Sequence, residues 1–266
     1  MDNKMETKII DALVHNWNRS GLKEGDLVLV HSSLKRLLFK LKDEFGELIS
    51  PKLIYDSLLK TLGENGTLIL PLYNFDFPNT KYFNFNETPS QMGALTEIGR
   101  NQENVVRTGH PIYSFSVIGK LSNEFEGINN KSGYGEDSPF AKIKELNGKI
   151  AIIGLTDQNS MTSYHFVEEQ NFVDYRYFKD FTGKYVDKNS NESIKTYSLF
   201  VRDIENGVKT DVNRMMDHLW KIDAYKGNKP DEGYGMRTIE FNDLYNETDK
   251  VIKSGNAINF LYSIEK

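Results

Sequence analysis

The sequence predicts an α/β protein: a three-layer α/β/α sandwich around a mixed, largely parallel sheet, with an additional β-hairpin and helices in the C-terminal third. Short continuous apolar runs at residues 27–30, 67–70 and 149–153 are typical of strands buried on both faces. Stretches with the apolar spacing of helices alternate with these runs. The pattern changes after about residue 176 to the polar and apolar alternation of a hairpin.

The helices are indicated by apolar periodicity and by capping residues. Apolar side chains over residues 9–17 fall on one helical face. Ser50 followed by Pro51 is a typical N-cap and first-turn pair, and Ser90 is predicted to cap a later helix. Further helices are expected from about residue 160, over residues 212–224 and from about residue 242.

The C-terminal third is predicted to contain an antiparallel hairpin or insertion. Residues 177–201 carry β-favouring side chains on both sides of a polar turn at residues 187–191. No internal repeat and no clear linker separates this part from the rest. Residues 1–266 are therefore predicted to form a single domain, within which the part from about residue 177 could be a subdomain.

Composition excludes several classes of function. The formal net charge is −5, so the composition shows no excess of basic residues of the kind that nucleic-acid-binding proteins carry. The chain has no cysteine, which excludes a thiol nucleophile and zinc–thiolate sites. It also lacks a signal-peptide pattern, a membrane-length apolar run, phosphate-loop and dinucleotide glycine motifs, paired-histidine metal spacing and the nucleophile elbow of serine hydrolases. We therefore expect a cytoplasmic enzyme with small-molecule substrates, without bound metal, nucleic acid or membrane; a homodimer remains open.

Five short polar motifs follow one another along the chain. They are His31-Ser32-Ser33-Leu34; residues 66–71 leading to Asp76; Met92-Gly93-Ala94; Arg107-Thr108-Gly109-His110-Pro111 with Ser114; and Asp137-Ser138-Pro139, followed by His165-Phe166-Val167-Glu168. Each is common by chance, but their order and spacing over residues 5–177 resemble the aminoglycoside 3-N-acetyltransferase family, including its sugar N-acyltransferase members. The resemblance implies the antibiotic N-acetyltransferase fold, acyl-coenzyme A as co-substrate and an amino sugar as acceptor.

His165 and Glu168 are the main catalytic candidates. Residues three apart on a helix share a face, so the carboxylate can orient the imidazole and stabilise its cation. An amine that attacks a thioester must lose a proton, and an imidazole is suited to accept it. The resemblance places the catalytic base at this motif and a cleft-lining His-Pro at His110, a third catalytic candidate. The alternatives for His165 are an ion pair with Glu168 on the helix surface or a core histidine bonded to a backbone carbonyl. The alternative for His110 is a structural turn histidine.

The resemblance also implies a binding site for each substrate. The segment from His31 follows a buried strand, where ligands bind in open α/β sheets, and Lys35 could contact a phosphate. Asp76, with Tyr73 and Phe75, is expected to bind the amino sugar, because a carboxylate among aromatic rings suits an ammonium group. The residues expected to bind coenzyme A are His31, Ser32, Ser33, Leu34, Lys35, Arg107, Ser114, Phe115, Ser138 and Phe140.

The acceptor and the reaction class retain alternatives. One acceptor is an aminoglycoside, which would make the protein an antibiotic-resistance acetyltransferase. The other is a nucleotide-linked amino sugar such as a dTDP-3-amino-3,6-dideoxyhexose, acylated during lipopolysaccharide O-antigen biosynthesis. Two rival classes are a thioesterase or amide hydrolase using Ser114 with His110, and a non-catalytic coenzyme A-binding protein.

Overall fold

A computed structural model describes residues 2–265, and its main feature is a seven-stranded mixed sheet. The strands are β1 (Leu27–Ser32), β2 (Thr67–Pro71), β3 (Tyr82–Asn84), β4 (Val106–Arg107), β5 (Phe115–Gly119), β6 (Lys149–Ile153), β7 (Arg176–Val186), β8 (Glu192–Arg202), β9 (Val208–Thr210), β10 (Lys226–Gly227), β11 (Met236–Glu240) and β12 (Tyr262–Ile264). The order in the main sheet is β10-β11-β6-β1-β2-β5-β4. The predicted mixed sheet is confirmed, but it is less parallel than predicted. Within the described residues its two parallel pairings join the three central strands, β6, β1 and β2, and its other four pairings are antiparallel.

Helices cover both faces of this sheet. They are α1 (Asn3–Arg19), α2 (Lys35–Phe45), α3 (Pro51–Leu62), α4 (Phe77–Thr80), α5 (Ala94–Arg100), α6 (Pro139–Glu145), α7 (Ser163–Gln170), α8 (Asn213–Lys221), α9 (Phe241–Lys253) and α10 (Ala257–Phe260). Alternate residues of β1 enter opposite cores, because successive strand side chains point to opposite faces. Val28 packs with α1, α2, α3 and α5, whereas Leu29 packs with α6, α7 and α9. The three-layer arrangement is therefore confirmed.

Of the two helix caps predicted from local signals, one is confirmed and one is wrong. Ser50 caps α3 as predicted, its hydroxyl accepting the backbone N–H of Lys52. The prediction that Ser90 caps a helix is wrong, because α5 begins at Ala94 after Gly93, which has a φ of 103°. The Ser90 hydroxyl instead accepts the backbone N–H of Met92 at 3.0 Å. The helix therefore begins one turn later than its apolar pattern suggests.

The predicted hairpin is confirmed and is long. β7 and β8 pair residue by residue from Arg176 opposite Arg202 to Val186 opposite Glu192. They form a three-stranded sheet with β3, while β9 and β12 pair separately. Within residues 2–265 no helix has the length and apolarity that crossing a membrane would require.

The carboxyl ends of the three central strands meet at one edge of the sheet. Parallel strands bring the residues that follow them together, which is where open α/β sheets bind ligands. His31 lies at the end of β1, Tyr73 follows β2, and residues 157–162 follow β6 and lead into α7. This edge therefore holds the residues from which a site could be built.

Candidate functional site

A cavity of about 210 Å³ opens at this edge of the sheet. Four residues expected to act in catalysis or binding lie together in its wall: His31, Tyr73, Phe75 and His165. The remaining lining residues are Met92, Asp157, Gln158, Asn159, Ser160, Met161, Thr162, Thr210 and Val212. The strand ends, the start of α7 and the end of β9 thus surround one pocket.

His165, Glu168 and Arg176 form a charged cluster at the wall of this cavity. His165 Nδ1 is 2.7 Å from Glu168 Oε2, as the spacing on α7 predicts. Glu168 is 1% exposed, and Arg176 Nε lies 2.8 Å from the same carboxylate oxygen. Burial opposes the ionisation of Glu168, but the charge of Arg176 and the hydrogen bond from His165 outweigh it and lower the pKa below its ordinary value. Glu168 is therefore a carboxylate although it is buried.

The imidazole of His165 is neutral near pH 7. Burial and then the charge of Arg176 lower its pKa below the ordinary 6.5, although Glu168 opposes both. Arg176 Nη2 lies 2.8 Å from Nδ1 and can only donate, so it competes with Glu168 for this ring nitrogen. The full charge of the carboxylate favours the tautomer in which Nδ1–H donates to Glu168. Nε2 then carries the free lone pair.

Arg176 is a site residue that the sequence patterns did not reveal. It begins β7, and its Nη1 donates to the carbonyl of Phe200 on β8 at 3.0 Å, which fixes the guanidinium beside α7. A carboxylate buried as deeply as Glu168 requires a cation. A catalytic carboxylate in a buried position therefore indicates that a cation lies beside it, but the sequence does not identify which arginine or lysine this is.

His31 and Tyr73 face the cavity as uncharged polar groups. His31 is 4% exposed, and burial and then the charge of Arg237 lower its pKa to about 3. Tyr73 is 2% exposed, and burial raises its pKa well above the ordinary 10. Neither His31 Nε2 nor the Tyr73 hydroxyl has a hydrogen bond of good geometry within residues 2–265, although the Thr162 side chain is close to that hydroxyl.

Asp157 also lines the cavity, and its carboxylate accepts hydrogen bonds from three side chains. It accepts from Arg237 Nη2 at 2.6 Å, from Tyr164 at 2.6 Å and from Tyr225 at 2.8 Å. The side chains of Asp157 and Arg237 are both fully buried. The two carboxylates at this site, Asp157 and Glu168, are thus each neutralised by an arginine.

The structure argues against the predicted catalytic role of His110. It is 0% exposed, and its Nδ1 accepts the backbone N–H groups of Ile112 at 3.2 Å and Tyr113 at 3.0 Å. Burial lowers its pKa to about 3. Ser114, its partner in the hydrolase alternative, instead donates to the carbonyl of Leu72 at 3.2 Å. His110 therefore has the structural role of a turn histidine, and this geometry argues against a Ser114–His110 hydrolase.

Several other residues that were predicted to bind a substrate lie away from the cavity. The Asp76 side chain is exposed just before α4 and does not line it, so the predicted carboxylate partner for the amine is absent from the wall. Phe115 and Phe140 belong to the core, and their fully buried rings pack edge to face. Ser138 is buried before α6, and its hydroxyl is unpaired within the described residues.

The two basic residues predicted to meet coenzyme A also lie outside this cavity. Arg107 lines a second cavity of about 540 Å³, with its guanidinium over Phe83 and its Nη1 donating to the carbonyl of Phe85. Lys35 is exposed at the start of α2. Ser32, Ser33 and Leu34, just before it, are half-buried at the end of β1.

Glu169, the residue after Glu168, gives a testable pH dependence. Glu169 is 5% exposed and lines a groove beside α7. Burial raises the pKa of its carboxyl group to about 7. The hydrogen bond from Ser132 lowers this pKa, and the charge of Asp137 raises it further. A carboxyl whose pKa is higher in the folded state stabilises the fold below its unfolded pKa of about 4.5, and this contribution is lost as the pH rises through about 7.

Glu169→Gln is therefore expected to stabilise the protein by about 1 kcal/mol near pH 8, since solvent in the groove screens the full effect. The gain should shrink as the pH falls toward 5. Chemical denaturation at several pH values measures it, and Glu64→Gln at an exposed position is the control. A gain that is equal at all pH values would contradict the assignment.

Comparison with known proteins identifies the family of the chain. The family model described as aminoglycoside 3-N-acetyltransferase matches residues 29–229. A curated relative, the SPβ prophage-derived aminoglycoside N(3′)-acetyltransferase-like protein YokD of Bacillus subtilis, is 28% identical over 171 residues, which are 56% of this chain and 60% of the relative. The match thus spans less than two thirds of that relative's length.

Solved structures share the fold at low sequence identity. The aminoglycoside acetyltransferase AAC(3)-Xa superposes with a TM-score of 0.77 at 18% identity, covering 95% of this chain and 98% of its own. AAC-IIIb in its binary complex with CoASH gives 0.76 at 17% identity, covering 92% and 96%. Because the family model covers most of the chain, the protein belongs to the aminoglycoside 3-N-acetyltransferase family.

Proposed function

We propose that the protein transfers an acyl group from acyl-coenzyme A to a primary amine of an amino sugar, with both substrates bound at once. Family membership supports the reaction class. The observation that carries the proposal is the neutral imidazole of His165, which lies 2.7 Å from a buried carboxylate and lines a cavity at the carboxyl edge of the sheet. This is the arrangement that a general base requires.

In the proposed reaction, the amine nitrogen attacks the carbonyl carbon of the thioester. Nε2 of His165 accepts the proton that the nitrogen loses, and Glu168 stabilises the imidazolium that results. The C–S bond then breaks, and the sulfur leaves with a proton returned from His165. The products are the amide and free coenzyme A, so no covalent enzyme intermediate is needed, consistent with a chain without cysteine.

Coenzyme A is the proposed acyl carrier, and one structural neighbour was solved with CoASH. The half-buried Ser32 and Ser33 at the end of β1 would contact its pantetheine arm, and the exposed Lys35 would contact a phosphate. Arg107 and its separate cavity would take part only if the nucleotide end extends beyond β4.

Two acceptors remain, and each has a supporting observation. The family and the curated relative support an aminoglycoside. Aminoglycosides carry several ammonium groups, whereas the carboxylates of Asp157 and Glu168 are already paired with arginines. The wall instead presents the exposed ring of Phe75, on which a base could stack. This favours a nucleotide-linked amino sugar as the second candidate, for example a dTDP-3-amino-3,6-dideoxyhexose.

A free-thiol assay with the purified protein tests the proposal. Acetyl-coenzyme A and 3-hydroxybutanoyl-coenzyme A are each combined with a kanamycin-type drug or a dTDP-linked amino sugar. We expect thiol release that depends on the amine and is specific to one acceptor class. Equal thiol release without any amine would identify a thioesterase and contradict the proposal, as would the absence of release with every pair.

A further inference from the structure

Two polar groups in the wall of the cavity are not used by the mechanism above. They are the imidazole of His31 and the hydroxyl of Tyr73, whose ring centres are 6.1 Å apart. Both side chains are more than nine-tenths buried, and neither His31 Nε2 nor the Tyr73 oxygen forms a hydrogen bond of good geometry within residues 2–265, the Thr162 side chain being close to that oxygen. A buried polar group without a partner is costly, so its retention in a reaction cavity indicates a ligand that supplies the partner.

The sheet fixes the direction of the His31 side chain. His31 lies opposite Ile152 of β6, which in turn lies opposite Arg237 of β11. Side chains at paired positions point to the same face, so His31 shares the face of Leu29, which α7 covers. His31 and His165 consequently line the same cavity from different elements, β1 and α7.

We propose that the His31 imidazole N–H and the Tyr73 hydroxyl together bind the thioester oxygen and stabilise the oxyanion that forms on it. This assignment rests on the proposed acyl transfer. It replaces the expected contact of His31 with coenzyme A and the expected contact of Tyr73 with the amino sugar. As the C–N bond forms, the π electrons of the carbonyl move to oxygen, and the two donors would stabilise the negative charge that develops there. As the carbonyl re-forms, the C–S bond breaks and sulfur takes the proton held by His165.

The protonation states suit donors that never give up their protons. Burial and Arg237 keep His31 neutral, and a neutral imidazole is a hydrogen-bond donor rather than an acid. Burial likewise keeps the Tyr73 hydroxyl protonated. His165 differs because Glu168 stabilises its cation, so the two imidazoles have separate roles, proton transfer for His165 and charge stabilisation for His31.

Kinetics of His31→Phe and Tyr73→Phe test the proposal, with His31→Gln as the variant that keeps an N–H donor. Each Phe variant is expected to lower kcat about 100-fold, with the KM for acyl-coenzyme A changing less than about threefold. His31→Gln should retain about tenfold more activity than His31→Phe. Tyr55→Phe is the matched control, because Tyr55 is equally buried with an unpaired hydroxyl but packs against the opposite face of the sheet. It should leave kcat unchanged.

A spectroscopic measurement separates this role from a packing role. The probe is a ketone analogue of acetyl-coenzyme A, in which a CH₂ group replaces the sulfur, labelled with ¹³C at the carbonyl. Hydrogen bonds from His31 and Tyr73 should lower its infrared C=O stretching frequency in the wild type, and each Phe variant should shift it back. An unchanged frequency, or equal kcat for His31→Gln and His31→Phe, would overturn the proposal. A wild type inactive with every acceptor would instead overturn the proposed function.

Discussion

His165→Gln is expected to lower kcat by about 1000-fold, within the range that general-base catalysis contributes. Glutamine can still donate a hydrogen bond to Glu168, but it cannot accept the amine proton. The structure should persist, because only the ring at the cavity wall changes and Glu168 keeps its ion pair with Arg176. Initial rates of amine-dependent thiol release measure the loss. Activity within about tenfold of the wild type would exclude His165 as the base.

The pH dependence of kcat/KM provides the second measurement on this cluster. Because burial and Arg176 hold the pKa of His165 below 6.5, the decline in activity that protonation of this base causes should lie below that pH. Glu168→Gln removes the carboxylate that raises this pKa, so the decline should move to still lower pH while kcat falls. A decline that moves to higher pH would contradict the assigned pairing.

The pairing of His165 with Glu168 could be predicted because it is local. Two residues three apart on one helix meet whatever the remainder of the chain does. The strands β1, β2 and β6 could also be predicted from the sequence, since each is a short, largely apolar run. Their parallel order then brought His31 and Tyr73 to the same edge, as the fold class implies.

The remainder of the site depends on distant pairings that no local pattern records. Arg176 reaches Glu168 only because the β7–β8 hairpin packs beside α7, and Arg237 reaches Asp157 only because β11 adds to the sheet beside β6. Motifs also do not reveal which way a side chain points. His110 and Asp76 were therefore expected at the site, whereas one points into the protein and the other into solvent.

Arg237→Met is expected to destabilise the protein by about 4 kcal/mol, because it leaves the buried carboxylate of Asp157 without its cation. Arg237 Nη1 also donates to the carbonyl of Leu155 at 2.6 Å, and this hydrogen bond would be lost as well. Chemical denaturation at neutral pH measures the loss. The control is Lys60→Met, whose ion pair with Asp11 is exposed and should contribute less than about 1 kcal/mol.

A double variant distinguishes the loss of a charge partner from a simple loss of packing. If the cost of Arg237→Met comes from the stranded carboxylate, adding Asp157→Asn should recover part of the stability. The amide is neutral, and its oxygen at the Oδ2 position can still accept from both Tyr164 and Tyr225. If the two losses simply add, the pair does not act as a unit. Because Asp157 lines the same cavity as His31 and His165, loss of this pair is also expected to disturb the wall of the cavity.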